Sequence, residues 1–244
     1  MISRDFFKRN LFTNKKPLSF SCPTCYNGHF RVAAENITIR QTADEIKARN
    51  RVEISNINYE MFRFVTIPAC DSCGEVVTIS GTAVFYNELN YRANSGYSGA
   101  QYIVFTPMYF YPPVNPFIIS AHCPENIKAC ILKAFSHYWN DLSSSANRIR
   151  TAVELIMDQQ GIDKAGTLHN RIESYKKINF NLGNQLMALK WIGNVGSHET
   201  IITQDDLLNG FELLESIIEE LYERPNRAKK LCDLSDNINK NKGL

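Results

Sequence analysis

The hydrophobic pattern divides the chain into two halves with different periodicity. From about Leu18 to Tyr111, short β-favouring runs alternate apolar and polar residues and are separated by turn residues. After about residue 116, apolar residues instead recur every three or four positions, as on one face of a helix. The pattern predicts an α+β protein: an N-terminal antiparallel β domain, followed by a C-terminal helical bundle.

Four or five helices are expected in the second half. A long amphipathic segment begins at Pro124 and extends to about residue 161, with SSSAN at 143–147 as the place where it kinks or divides. Shorter helices are predicted at about 165–178 and 183–197. The last helix begins at Thr203, where the sequence Thr-x-x-Asp resembles a capping box, and the pattern is lost after Pro225.

These patterns predict four segments along the chain. The proline-rich run TPMYFYPPVNP at 106–116 is extended and makes a natural boundary between domains. The predicted segments are an N-terminal extension at 1–16, a β domain at 17–112, a helical domain at 113–234 and a flexible tail at 235–244.

Composition and charge exclude several classes of protein. The 244 residues are 44% hydrophobic and 21% charged, with 27 basic and 25 acidic residues, which is typical of a folded globular protein. The sequence has no long basic stripe of the kind that is typical of nucleic-acid-binding proteins. The N-terminus lacks the apolar core of a signal peptide, and prolines interrupt the most apolar stretch, so we expect no membrane span.

Two Cys-x-x-Cys pairs are the strongest chemical signal in the sequence. Cys22 and Cys25 form the first pair, and Cys70 and Cys73 form the second. Two such pairs supply four thiolates to a tetrahedral metal and leave no position for water or substrate, so they predict one closed, structural Zn²⁺ site. Because the segment between the pairs is long enough to contain strands, the β half is predicted to be an antiparallel zinc ribbon with extra strands. The alternative is that the four thiols are buried separately and bind no metal.

The residues around these pairs refine the prediction. Gly74 follows the second pair, where a zinc knuckle favours a residue with positive φ, whereas Tyr26 holds the matching place after the first pair. His29 is a substitute ligand if one cysteine does not bind. Three further cysteines leave an odd total, which suits a reducing compartment and indicates the cytoplasm; they are Cys123, Cys130 and Cys232.

Two pairs of polar residues in the helical half have a spacing of four. Arg150 and Glu154 can form an ion pair along the first long helix, and Asn194 and His198 share one face at the end of a later one. By themselves these residues are typical of a surface ion pair, a helix cap or a buried structural partner.

The order of the motifs in this half resembles a known family. The sequence R-x-x-x-E at 150–154, then GTLHNRIESY and LKWIGNVGSH, is similar to the domain of unknown function 4145 family, which often follows a zinc ribbon such as the one that begins KKPLSFSCPTC. The resemblance covers about residues 17–224. It implies a HEPN-like helical bundle that forms a homodimer, in a prokaryotic protein encoded beside or fused to restriction and other anti-phage systems.

The resemblance also implies a place for a catalytic site. Active HEPN ribonucleases carry an arginine, a polar residue next to it and then a histidine on one helix. Asn194 matches the polar position and His198 the histidine, but the arginine position falls on Gly193, and Lys190 lies about one turn earlier. In a ribonuclease, His198 would act as acid or base, with a cation stabilising the phosphate.

Without the motif arginine, that cation would be Lys190, Arg150 beside Glu154, or a residue across a dimer interface. The sequence therefore favours a non-catalytic function: a zinc-binding, dimerising interaction module of an anti-phage or restriction-associated system, which binds a partner protein or nucleic acid. The alternative is a metal-independent HEPN-type ribonuclease, acting as a toxin or abortive-infection effector.

A third hypothesis is that the β half itself binds RNA or DNA. Its aromatic residues suit base stacking and its arginines suit phosphates, although aromatic residues on strands also build cores. The aromatic residues are Tyr97, Tyr102, Phe105, Tyr109, Phe110 and Tyr111, and the arginines are Arg31, Arg40, Arg51, Arg63 and Arg92.

Overall fold

The protein consists of two compact units. A computed structural model describes residues 4–8, 11–49, 59–88, 100–195 and 201–241. One unit comprises Asp5–Val114, and the other comprises Asn115–Leu244 together with Met1–Arg4. Strands dominate the first unit and helices the second, so the α+β class predicted from the sequence is confirmed.

The first unit contains a five-stranded antiparallel sheet and a separate two-stranded hairpin. Strands in the large sheet follow the order β1-β7-β6-β5-β4, and β2 pairs with β3 in the hairpin. The elements up to residue 114 are α1 (Arg4–Lys8), β1 (Phe12–Thr13), β2 (Leu18–Ser21), β3 (His29–Val32), β4 (Thr38–Gln41), α2 (Ala43–Arg49), β5 (Tyr59–Thr66), β6 (Thr78–Glu88) and β7 (Ala100–Tyr111).

One face of the large sheet carries the core of this unit. Phe12, Phe64 and Phe105 pack together with ring centroids 4.8 to 5.8 Å apart. The hairpin covers the same face, because Phe20 of β2 stacks on Phe30 of β3 and meets Phe110 of β7 edge-on at 5.8 Å. Burial of these large rings is the main source of stability in the sheet.

The opposite face of the sheet bears the alternate residues of each strand, since side chains alternate between faces. We refer to the described side chains there as the open face. Along β5, Met61, Arg63 and Val65 are exposed while Phe64 and Thr66 are buried. The strand register, followed outward from β5, gives the other members. These are Thr13, Thr38, Arg40, Thr78, Ser80, Thr82, Val84, Tyr86, Tyr102, Val104, Thr106, Tyr109 and Tyr111.

The predicted N-terminal extension is partly incorporated into the sheet. Phe12 and Thr13 form β1, which pairs with β7 and places Phe12 opposite Phe105. Two residues are too few for a strand to be recognised by alternation, and the strand forms because burying Phe12 covers the edge of the core. The sheet therefore begins before residue 17.

The second unit contains six α-helices in its described part. They are α3 (Glu125–His137), α4 (Leu142–Gln159), α5 (Leu168–Lys176), α6 (Phe180–Val195), α7 (Gln204–Ile218) and α8 (Arg224–Lys240), with a π-helical turn at Glu219–Glu223 between the last two. The helices α3 to α7 pack on one another and form the bundle. Within the described residues, no helix has both the length and the apolar character needed to cross a membrane.

Side-chain caps fix where several of these helices begin. Asp141 accepts a hydrogen bond from the Ser144 N–H and begins α4, so the long amphipathic segment divides just before SSSAN rather than within it. The capping box at the start of α7 is confirmed, since Thr203 and Asp206 each accept a bond from the other's backbone N–H. Each cap satisfies N–H groups that have no partner inside the helix.

The predicted flexible tail is helical to Lys240. All residues of α8 are exposed, including Leu231, Leu234 and Ile238, which recur at a spacing of three and four. The helix continues from the end of the bundle, and Arg224 pairs with Glu219 at 3.7 Å and with Glu220. Good helix-forming residues and a proline in the first turn are compatible with this continuation.

Candidate metal centre and the helical motif residues

The four paired cysteines lie in one cluster in the sheet unit. Cys22 and Cys25 lie in the turn between β2 and β3, and Cys70 and Cys73 lie in the turn between β5 and β6. Their four Sγ atoms are all within 4.8 Å of one another. Among the residues that the structure describes, this is the one group of three or more candidate ligands that could hold a metal.

The distances fit a tetrahedral metal site. A metal–sulfur bond of about 2.3 Å gives a sulfur–sulfur edge of about 3.8 Å in a regular tetrahedron. The Sγ atoms of Cys22 and Cys73 are 3.7 Å apart, and those of Cys25 and Cys70 are 3.8 Å apart. Each of these contacts joins one pair to the other, so both pairs belong to the same cage.

The two turns have the same backbone conformation. Tyr26 has φ of 58° and Gly74 has φ of 75°, and each N–H donates to the carbonyl of the first cysteine of its pair. The first turn therefore adopts the knuckle geometry although a tyrosine holds the glycine position. Positive φ costs about 1 kcal/mol or more for a residue with a Cβ. Tyr26 nevertheless adopts this conformation in the knuckle.

Backbone N–H groups converge on the sulfurs. Thr24 and Cys25 donate to Cys22 Sγ at 3.4 and 3.5 Å, Gly28 donates to Cys25 Sγ at 3.4 Å, and Ser72 donates to Cys70 Sγ at 3.4 Å. Such donors stabilise thiolates, which are the form that binds a metal.

Four thiols this close together cannot all ionise without a compensating cation. The N–H groups of Gly28 and Asn27 lower the pKa of Cys25 to about 6. At Cys73, the Glu75 N–H lowers the pKa, but desolvation and the neighbouring thiols outweigh it and raise the pKa to about 12. A divalent cation at the centre would remove this conflict, so the donor set is compatible with a metal site.

Gly28 allows the two knuckles to meet, a role that was not predicted from the sequence. A Cβ at this position would lie 2.3 Å from Cys70 Sγ and 2.6 Å from the Ser72 Cβ. The spacing Cys-x-x-Cys-x-x-Gly was the available signal. Asp71 joins the turns as well, because its carboxylate accepts from the His29 N–H at 2.7 Å. That bond uses the backbone of His29 rather than its imidazole.

The other cysteines lie elsewhere. Cys123 and Cys130 are buried in the helical unit, and burial raises the pKa of Cys123 to about 11 and also raises the pKa of Cys130. Cys232 is exposed on α8. Buried thiols of raised pKa are inert and behave as small apolar side chains.

Four of the five helical candidates are in the described region. Arg150 and Glu154 lie on α4 and form an ion pair at 3.6 Å. Lys190 and Asn194 lie on α6, where Lys190 is buried with its Nζ 3.5 Å from the centroid of the Trp191 ring. His198 lies outside the described residues.

Gly193 lies where α6 crosses α4. A Cβ on Gly193 would be 2.4 Å from the Arg150 Cβ and 3.1 Å from the Ala146 carbonyl oxygen. The position that matches the motif arginine is thus packed against the backbone of another helix. An arginine there would force the two helices apart.

The comparisons with known proteins match the two units separately. Residues 133–236 match the family model described as Domain of unknown function (DUF4145), and residues 10–110 match the model described as Domain of unknown function (DUF8608). The first match supports the resemblance noted in the helical half. No curated protein and no solved structure matches the chain.

The two knuckle glycines allow a matched test of the cage. We expect Gly28→Ala to lower metal affinity by about tenfold or more, because the methyl group enters the ligand shell. Gly74→Ala meets no atom within 4 Å and should lose only about 1 kcal/mol of stability through its positive φ. Competition with a chromophoric chelator measures the first effect and thermal unfolding the second. Equal metal affinity in both variants would contradict the close approach.

Proposed function

We propose that the protein is a non-catalytic, zinc-binding interaction module that forms a homodimer and binds a partner protein or nucleic acid in an anti-phage or restriction-associated system. The observation that carries the proposal is the four-cysteine cage. A metal with four protein ligands has no open position, so it stabilises the fold and performs no chemistry.

Zinc is the metal that best suits these ligands. Thiolates select soft or borderline metals, and four of them in a tetrahedron favour zinc or iron. Unlike iron, zinc is not redox-active, which suits a structural site. The cage lies at the ends of strands from both sheets, so metal binding contributes directly to the folding of the sheet unit.

The surface of α6 supports a homodimer through the helical unit. The single charged residue in this 16-residue helix, Lys190, is buried. Phe180 and Trp191 lie about three turns apart on the outer face and are 65% and 53% exposed. A surface helix without exposed charge and with large exposed rings is typical of an interface, since such rings are enriched where proteins associate.

Two observations support a non-catalytic function over the ribonuclease alternative. The motif arginine is replaced by Gly193, whose packing against Arg150 leaves no room for a side chain. Arg150 itself is engaged with Glu154. A ribonuclease would therefore need another cation near His198 to stabilise the phosphate.

The role in a defence system rests on the family resemblance alone. The matched family model describes a domain of unknown function and names no partner. Co-purification with the products of neighbouring genes is the direct way to identify the partner.

Metal analysis tests the cage. We expect one zinc per chain in the purified protein, lost in Cys22→Ser and Cys70→Ser together with the cooperative unfolding of the sheet unit, because metal-binding energy is folding energy in such a site. Cys232→Ser changes an exposed thiol outside the cage and is the matched control. Full zinc content in Cys22→Ser, or none in the unaltered protein, would rule out the cage.

Light scattering tests the dimer. We expect twice the chain mass for the unaltered protein and the mass of one chain for Trp191→Glu, because the change removes a large ring from the interface and places a desolvated charge there. Ile238→Glu introduces the same charge at a similarly exposed apolar residue on α8 and should leave the dimer intact. A monomeric unaltered protein, or dissociation by the α8 variant alone, would reject the α6 interface.

An RNA cleavage assay tests the absence of catalysis. We expect the purified dimer to leave labelled single-stranded RNA intact without added metal. Cleavage that disappears in His198→Ala and persists in His169→Ala would replace the proposal with the ribonuclease alternative.

A further inference from the structure

The open face of the five-stranded sheet has an unusual composition. Tyr86 and Tyr102 stack on it with ring centroids 5.3 Å apart, and Tyr109 is 56% exposed. Arg40 and Arg63 are also exposed there. None of the side chains that the structure describes on this face is acidic.

The structure separates the aromatic residues of the third sequence hypothesis into two groups. Phe105 and Phe110 are buried on the core face, whereas Tyr102, Tyr109 and Tyr111 lie on the open face. Every aromatic residue on the open face is thus a tyrosine, and the phenylalanines of the large sheet all lie on the core face. Tyr97, Arg51 and Arg92 fall outside the described residues, and Arg31 lies on β3 of the hairpin.

The two arginines face each other across neighbouring strands. Arg40 of β4 is the direct partner of Arg63 of β5 in the sheet register. Directly opposite residues have Cβ atoms about 5 Å apart, and like charges in such pairs destabilise a sheet. No described carboxylate forms an ion pair with either arginine. An anion between them would convert this repulsion into binding energy.

We propose that the open face binds single-stranded nucleic acid, with phosphates at Arg40 and Arg63 and bases stacked on Tyr86, Tyr102 and Tyr109. Single-stranded nucleic acid combines a regular array of anions with exposed aromatic bases, which are the two chemistries that this face offers. The proposal deepens the proposed function, because it rests on the module having a nucleic-acid partner and names the surface that contacts it.

The geometry suits several nucleotides. Tyr86 is opposite Tyr102, and Ser80, six residues from Tyr86 on β6, is opposite Tyr109. At about 3.4 Å per residue, the two tyrosine positions are about 20 Å apart along the strands. Arg63 is opposite Thr82 of β6 and so lies between these positions along the strand direction. A single strand that runs along β6 and β7 therefore meets tyrosine rings at both ends. The arginines lie on β5 and β4, one and two strands to the side of β6, about 5 and 10 Å away.

Fluorescence anisotropy with the full-length, zinc-loaded protein tests the proposal. The probes are 12-nucleotide single strands of RNA and DNA and a DNA duplex of the same length, each measured from 50 to 200 mM salt. We expect single strands to bind more tightly than the duplex. Tighter binding of RNA would assign a contact to the 2′-hydroxyl, and equal binding of RNA and DNA would assign stacking and phosphate contacts alone.

Variants locate the site on the open face. The slope of the logarithm of the binding constant against the logarithm of the salt concentration should become less steep by about 1.4 when Arg40→Gln is combined with Arg63→Gln. Each phosphate contact with a single strand contributes about 0.7 to this slope. The same change removes a repulsive pair and should not lower stability. Tyr86→Thr should weaken binding about fivefold or more, and Tyr86→Phe, which keeps the ring, should not. Arg148→Gln on α4 removes one exposed charge from the helical unit and is the control.

Three outcomes would overturn the proposal. A protein that forms dimers but binds no single strand at 50 mM salt would leave the proposed module intact and assign the open face to a protein partner. Binding that is unchanged in both arginine and tyrosine variants, or equally weakened by Arg148→Gln, would place the nucleic acid elsewhere. Preference for the duplex would exclude base stacking as the mode of recognition.

Discussion

The cage of four cysteines is the constraint on which the sheet unit depends. Its ligands come from two turns that are far apart in sequence, so the cage ties the β2–β3 hairpin to the turn that joins β5 and β6. The closeness of the sulfurs also governs the neighbouring backbone: Gly28 must lack a side chain, and Tyr26 must adopt a left-handed conformation. The hairpin held in this way covers one face of the large sheet and leaves the other face open.

Features of the fold that depend on local chemistry could be predicted from the sequence. The ligand spacing, the capping box at Thr203 and the change from strand to helix periodicity all involve residues a few positions apart. Features that depend on distant contacts could not. The pairing of Phe12 with Phe105 and the fit of Gly28 against Cys70 arise only when strands and turns from separate segments meet.

The helical unit shows how motif similarity and site geometry can differ. The spacing of Asn194 and His198 matches a catalytic pattern, but Gly193 serves as the contact point between α6 and α4. Packing density explains the substitution, since two helices approach this closely only where one of them lacks a side chain. Strand register adds a similar distinction in the sheet. Alternation alone would place Tyr102 and Tyr109, seven residues apart, on opposite faces, but the register shift between Ser80 and Gly81 places them on the same face.

The order of the two units along the chain has a consequence for biosynthesis. Every ligand of the cage and every strand of both sheets lies between residues 5 and 114, in one continuous segment. Domains generally fold as units, N-terminal first, while the ribosome is still adding residues. The sheet unit can therefore bring its four thiols together, bind the proposed zinc and close its core before the last helix of the bundle has been translated. The supply of zinc in the cell would then determine whether the sheet unit of the nascent chain folds, before the full-length protein is released.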